Sequence, residues 1–294
     1  MADQEVKLTL VEKLGRVDRR IIFLLMGVAV LIPLLVHYTT YIPASPIVQN
    51  LFDKVESLPP GSKILLSFDY APSTAPENQP MATSITRHCF EKGHRLYMIS
   101  LWATGPRQAM ELIDDVITPE FPGKANGIDW VHLGFKAGGQ GLINTLLSDF
   151  TAMYTTDVNG RAISDFPMMA GVKSLRDFDL IYCIGSGQPG NKEWIQFAGD
   201  PGRIPVGGGT TAVMAPQLYP YYPKQTVGLL GGLQGAAEYE AALIARYPKY
   251  RDMSRVASEK MGPQVSAHLV IAAFIILGNV TYLIERRRQK KQRK

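Results

Sequence analysis

An apolar stretch near the C-terminus constrains this chain more than any other feature. Val265 to Ile284 are twenty residues without a formal charge when His268 is counted as neutral. A helix of that length spans roughly 30 Å, the thickness of the hydrocarbon core of a bilayer. Seven Lys/Arg residues follow between positions 286 and 294. We therefore predict a transmembrane helix over residues 263–284 and a basic cytoplasmic tail over residues 285–294.

A second apolar run covers residues 21–36 and is preceded by three arginines. One interpretation is a cleaved signal peptide, but the basic leader is long and no Ala-x-Ala cleavage site follows the run. We favour an uncleaved anchor, with a cytoplasmic segment over residues 1–20 and a transmembrane helix over residues 21–40.

Both apolar runs carry their dense positive charge on the side away from the middle of the chain. The rule that positive charge stays inside then predicts a two-pass protein of the cell membrane with both termini in the cytoplasm. Residues 41–262 would form an extracytoplasmic domain. Four basic residues shortly before the second run weaken this orientation, but the seven that follow it outnumber them.

The charge distribution argues against a nucleic-acid partner. The formal net charge is +5, yet the chain between residues 21 and 284 holds 19 basic and 21 acidic residues. The positive excess therefore belongs to the flanks of the apolar runs, and no basic face is expected on the domain.

The middle of the chain alternates apolar runs of strand length with helical patterns, which predicts βαβ units and a parallel sheet. We expect an α/β fold, a doubly wound, mostly parallel Rossmann-like sheet domain between two transmembrane helices. Strands are predicted at 63–69, 94–102, 128–134 and 178–184, with weaker candidates at 204–206 and 212–214. Helices are predicted at 76–91, 106–117, 141–153, 191–198 and 226–247, and residues 154–177 are expected to be irregular.

Ligands of open α/β sheets bind beyond the carboxyl ends of the strands, where three of the predicted loops are rich in glycine. The candidate ligand-binding residues in these loops are Asp69, Lys136, Gly138, Gly139, Ser186, Gly208 and Thr210. An open polar cavity bounded by the loops would favour a ligand-binding function, whereas a closed edge would favour a structural one.

The loop over residues 134–141 joins a strand to a helix start and contains Lys136, which suits a phosphate or a carboxylate. Its glycines match neither the P-loop pattern nor Gly-x-Gly-x-x-Gly. From the sequence we favour the simpler interpretation, a tight turn in a compact sheet.

The sequence gives no reason to expect a catalytic residue, a cofactor or a metal. Ser186 has the surroundings of a nucleophile elbow, but glycine would be required at positions 184 and 188, which hold Ile and Gln. No histidine lies where a base is expected, and no pair of residues has metal-ligand spacing. The two cysteines, Cys89 and Cys183, could form a disulfide or remain buried thiols.

A tyrosine-rich loop and a set of small residues near the end of the domain are candidates for contact with a partner or the membrane. They are Tyr219, Tyr221, Tyr222, Gly228 and Gly232, although packing on the chain's own sheet is the default role of the glycines.

These features predict a structural or accessory subunit of a membrane protein assembly, without catalysis. Its partners would be the lipid bilayer and other membrane subunits or further copies of itself. The alternative is a ligand-binding sensor or an ecto-enzyme that uses the glycine-rich loops.

Overall fold

The computed structural model describes residues 18–36, 42–253 and 256–292. The chain divides into two compact units. One unit, Tyr41–Ser258, contains the sheet. The other unit comprises Met1–Thr40 and Glu259–Lys294.

A six-stranded, all-parallel sheet forms the centre of the first unit, in the order β3-β2-β1-β4-β5-β6. The strands are β1 (Lys63–Asp69), β2 (Arg95–Ser100), β3 (Trp130–Phe135), β4 (Leu180–Gly185), β5 (Val206–Thr210) and β6 (Gly228–Gly231). The order changes direction between β1 and β4, as in Rossmann-like sheets. The predicted α/β fold with a parallel sheet is confirmed.

Among the described residues, one α-helix of four or more residues lies between each pair of successive strands, two precede β1 and two follow β6. They are α1 (Arg19–Leu35), α2 (Pro46–Ser57), α3 (Ala75–Glu91), α4 (Gly105–Leu112), α5 (Gly139–Ser148), α6 (Asn191–Trp194), α7 (Ala215–Leu218), α8 (Gly232–Arg246) and α9 (Val256–Gln292). Helices α4 and α6 each continue into a π-helical turn, Ile113–Ile117 and Ile195–Gly199.

The central strands are apolar on both faces because helices cover both. In β1, Ile64, Leu65, Leu66 and Phe68 are fully buried. Such near-continuous apolar runs are typical of parallel strands that contact no solvent on either face.

Three of the five residues of β5 are glycine, and helices pack directly on the backbone of this strand. A Cβ added at Gly208 would lie 1.8 Å from Asn191 Oδ1 in α6, and one added at Gly209 would lie 2.5 Å from Met81 Sδ in α3. Neighbouring strand residues point to opposite faces, so α6 and α3 cover opposite faces of the sheet. Residues 207–210 therefore belong to a buried strand, and their placement in a loop was wrong.

The predicted helix over residues 226–247 was also wrong in its first third. Residues 228–231 form β6, and α8 begins at Gly232 with φ of 62°. A Cβ at Gly228 would lie 2.3 Å from the Ile47 carbonyl oxygen, so this glycine allows α2 to contact the strand directly. The weak strand candidate at 212–214 was wrong as well, since these residues form a turn before α7.

Two carboxylates on α8 form hydrogen bonds with the first turns of α2 and α9, near the two ends of the first unit. Glu238 Oε2 accepts hydrogen bonds from the N–H and Oγ of Ser45, the N-cap of α2. Glu240 Oε2 accepts hydrogen bonds from the N–H and Oγ of Ser258, in the first turn of α9. Each glutamate thereby satisfies backbone N–H groups that a helix start leaves unpaired.

Among the described residues, one helical segment is long and apolar enough to cross a membrane, Val256–Ile284 in α9. Inside it, Thr281 Oγ1 donates to the carbonyls of Leu277 and Gly278, which satisfies its hydroxyl. The N-terminal helix α1 has 17 described residues, or about 25 Å, and does not count as a second candidate. The described residues therefore show one candidate span where the sequence predicts two; residues 37–40 of the predicted first span lie outside them, and the second pass stays a prediction.

Candidate ligand cleft at the carboxyl edge of the sheet

Asp69 lies at the carboxyl end of β1 and is fully buried. Its carboxylate accepts hydrogen bonds from Leu101 N (2.7 Å), Ser67 Oγ (2.7 Å), Trp194 Nε1 (3.0 Å) and Cys183 Sγ (3.3 Å). Burial raises its pKa to about 6, and these hydrogen bonds oppose the rise. With four internal donors around it, Asp69 joins β1, β2, β4 and α6 within the core.

The loop after β4 folds over this position. Ser186 N donates to the Asp69 carbonyl at 3.1 Å, and Trp102 Nε1 donates to the Pro189 carbonyl at 2.7 Å. A Cβ at Gly187 would lie 3.0 Å from the Trp102 ring, so the indole packs against the loop backbone. The point where the strand order reverses is therefore covered by Trp102 and residues 186–190.

An open cleft of about 530 Å³ lies beside this cover, between the loops that follow β3 and β4. Its lining residues are Leu101, Phe135, Ala137, Gly138, Gly139, Gln140, Gln188, Pro189, Lys192, Glu193, Gln196 and Phe197. The volume is within the range of small-molecule sites. We refer to it below as the carboxyl-edge cleft.

Two glycines shape one wall of the cleft. Gly138 has φ of 134° and Gly139 has φ of 48°, a region in which other residues are strained. This backbone turns the chain directly from β3 into α5. Helix α5 starts at Gly139, so the unpaired N–H groups of its first turn belong to residues that line the cleft.

Some polar side chains of the cleft form hydrogen bonds within the protein, and others form none among the described residues. Glu193 Oε2 accepts from Gly190 N at 2.7 Å, and Gln196 Nε2 donates to Tyr221 Oη at 2.8 Å. Within the described part of the chain, the side chains of Gln140, Gln188 and Lys192 make no hydrogen bond or ion pair. Lys192 is exposed at the rim and is the basic side chain of the lining.

The structure separates the seven residues predicted to bind a ligand. Gly138 and Gly139 line the cleft, whereas Asp69, Ser186 and Gly208 do not. Sequence reasoning missed Gln140, Gln188 and Lys192. Gln140 and Gln188 lie inside loops that the sequence identified, but nothing in the sequence indicated that both would line one cleft.

The remaining two predicted residues lie elsewhere at this edge. The Lys136 ammonium lies 5.9 Å from the centre of the Tyr154 ring and not in the cleft. Thr210 ends β5 and donates to the Gly185 carbonyl at 2.8 Å. It also lines a small hollow of about 70 Å³, which shares Gln188 and Lys192 with the cleft. A ligand role for each of the seven stays a prediction.

The tyrosine-rich loop is tied to the domain by hydrogen bonds. Tyr221 Oη accepts from Gln196, and Tyr222 Oη accepts from Asn50 Nδ2 at 2.5 Å. Tyr219 is about half exposed. Tyr221 and Tyr222 therefore stabilise the domain's own structure, and contact of the three tyrosines with a partner stays a prediction.

Gly228 and Gly232, which were predicted to contact a partner or the membrane, pack against other parts of the same domain. Gly228 contacts α2, and a Cβ at Gly232 would lie 2.8 Å from Ala212 Cβ. Close approach within the chain accounts for both glycines.

Cys89 and Cys183 are both fully buried free thiols. Burial raises the pKa of each well above its usual value. In the described ranges, no group of three or more His, Cys, Asp or Glu side chains could hold a metal ion.

No protein-family model matches the sequence, and no curated protein matches it.

Proposed function

We propose that this protein is a membrane-anchored, ligand-binding protein that takes a small acidic molecule in the carboxyl-edge cleft. The observation that carries the proposal is the cleft itself, about 530 Å³ of open space at the sheet edge where α/β folds bind ligands. An open cavity was the feature that would favour ligand binding over a purely structural role.

The chemistry of the lining supports an acidic ligand. Lys192 provides a positive charge without an ion-pair partner among the described residues, and the first turn of α5 adds N–H groups with partial positive charge. Gln140 and Gln188 offer hydrogen bonds, while Leu101 and Phe135 offer apolar contact. A molecule with one carboxylate or phosphate and a compact apolar body fits this combination.

We also propose the membrane arrangement expected from the sequence. Helix α9 carries the candidate span, and the basic residues beyond it favour a cytoplasmic C-terminus. The basic N-terminal flank favours a second pass and a cytoplasmic N-terminus, with residues 41–262 outside. Cysteine labelling at position 290 tests this: labelling from outside intact cells would contradict the orientation.

A role as a structural or accessory subunit of a membrane assembly is the second candidate function. The supporting observation is the closed network around Asp69, which leaves that carboxylate no free position for a substrate. Purification in mild detergent, followed by identification of co-purifying proteins, tests this role. Recovery of the chain alone would contradict it.

Ligand binding is tested by thermal unfolding of the full chain with a panel of carboxylated and phosphorylated compounds. A ligand at about one hundred times its Kd stabilises the folded state by about 2.7 kcal/mol, or roughly 5–10 °C for a domain of this size. Lys192→Ala should reduce the shift. Lys136→Ala is the matched control and should preserve it, because the Lys136 ammonium lies over Tyr154. A wild-type melting temperature that no compound changes would refute the proposal.

A further inference from the structure

A second cavity lies in the long connection between α5 and β4. Residues 149–179, here called the excursion, contain three 3₁₀ turns and no strand or α-helix. Connections of this length without regular structure are uncommon in compact domains and are usually functional. The excursion lines an open cavity of about 530 Å³, which shares no lining residue with the carboxyl-edge cleft.

The floor of this cavity is apolar and held in position by the core. Ile163, Phe166 and Met169 line it, and all three are buried members of the main hydrophobic cluster. A Cβ at Gly127 would lie 2.6 Å from Phe166 Cδ1, so the ring packs tightly against backbone. An apolar ligand would therefore meet a preformed surface, which reduces the ordering cost of binding.

The rim of the cavity is polar and carries a negative charge. Asp165 is exposed and is the ionisable residue of the lining. The hydroxyl of Ser164 donates to its Oδ1 at 3.2 Å, and in the described ranges Asp165 forms no ion pair. The nearby Arg161 is paired with Asp157 through Nε and Nη2 at 3.0 and 2.8 Å. The carboxylate of Asp165 thus remains available at the mouth of an apolar cavity.

We propose that the cavity of the excursion binds an apolar molecule that carries a cationic amine. The ammonium group would pair with Asp165, and the apolar body would lie on Ile163, Phe166 and Met169. The charge preference is opposite to that of the carboxyl-edge cleft, so the two sites select different molecules.

The test uses the full chain in zwitterionic nanodiscs and measures binding by saturation-transfer NMR, with empty nanodiscs as the background. The probes are 4-phenylbutylammonium, the neutral 4-phenylbutanol and the anionic 4-phenylbutyrate. Wild type should bind the ammonium about three- to fivefold more tightly than the alcohol, the range of an exposed ion pair. Equal binding of 4-phenylbutyrate and 4-phenylbutylammonium would overturn the proposal.

Two variants locate the binding to this cavity. Asp165→Asn should remove the preference for the ammonium, whereas Asp114→Asn, a change at an exposed aspartate of the π-helical turn after α4, should preserve it. Ala170→Phe should fill the cavity and weaken both the ammonium and the alcohol at least fivefold. Wild-type binding by Ala170→Phe, or a preference that survives Asp165→Asn, would refute the assignment. Lys192→Ala should change neither probe, which separates this outcome from that of the proposed function.

Discussion

The glycine at position 208 tests whether residues 207–210 act as a binding loop or as a buried strand. In Gly208→Ala, the new Cβ would lie 1.8 Å from Asn191 Oδ1 and 3.0 Å from the Cys183 carbonyl oxygen. The Asn191 side chain must move to accommodate it. That side chain is buried, and its Nδ2 donates to the Gly209 carbonyl at 2.9 Å.

The expected loss follows from this geometry. Breaking a buried hydrogen bond costs about 1–3 kcal/mol, and overpacking a core costs about 1–3 kcal/mol. Replacing glycine recovers about 0.4–1 kcal/mol by restricting the unfolded chain. The net destabilisation is about 2–4 kcal/mol, which corresponds to roughly 5–15 °C in melting temperature for a domain of this size.

The assay is thermal unfolding of the full chain in detergent, followed by near-ultraviolet circular dichroism, to which the buried Trp194 contributes. The matched control is Gly141→Ala, because a Cβ at that position has no atom within 4 Å. Gly141 lies in α5, so the control should melt at or slightly above the wild-type temperature. If Gly208→Ala melts within about 2 °C of wild type, the close packing of α6 on β5 is wrong.

Three further changes test other parts of the structure. Burial lowers the pKa of His88 to about 4 in the folded protein, although the hydrogen bond to Glu56 opposes the shift. In the unfolded chain, the His88 imidazole has its ordinary pKa near 6.5. The free energy of unfolding should therefore fall as pH drops from 6.5 towards 4, by up to about 3 kcal/mol. In His88→Gln, the free energy of unfolding measured by urea titration at each pH should depend less steeply on pH. Ser258→Ala removes one hydrogen bond to Glu240 and should cost about 1 kcal/mol, seen as faster amide exchange in the first turn of α9; unchanged exchange would contradict the cap. Lys136→Ala should change the unfolding free energy by less than about 1 kcal/mol, since it removes one cation–π contact of a partly exposed lysine, and a larger loss would reveal a further partner for this lysine.

Much of the central fold could be predicted because its signals are local. Strands β1 to β4 are apolar runs between turn residues, and the helices between them have clear starts and ends. Gly93 has φ of 71° where α3 ends, as the sequence suggests for a glycine after a helix. These features depend on nearby residues alone, so they were readable without the tertiary structure.

The last third of the domain was harder to predict because its two strands, β5 and β6, are rich in glycine. Residues 207–209 have no side chains that could show an alternating pattern, and the same is true of Gly228 and Gly231. Their strand structure depends on the helices that pack on them. Helix α2 was not predicted, although Ser45 followed by Pro46 is a pattern typical of a helix start.

The candidate site shows the same division. The sequence located the loops that bound the cleft, since a parallel sheet brings the carboxyl ends of its strands to one edge. It did not show that Asp69 would be enclosed by four donors, or that Lys136 would lie over Tyr154. Apart from the Ser67 hydrogen bond within β1, those contacts join residues from separate segments of the chain.

By itself, the sequence determined the parallel α/β architecture, the apolar C-terminal helix and the basic residues that flank the apolar runs. These properties follow from the order and spacing of apolar, glycine and charged residues along the chain. The tertiary structure decided which polar groups form hydrogen bonds inside the core. It also decided which polar groups around the two cavities have no ion-pair partner among the described residues. The physical reason is that hydrogen bonding and burial depend on distances in space, and here Asp69 accepts hydrogen bonds from Leu101, Cys183 and Trp194, which lie 32, 114 and 125 positions away.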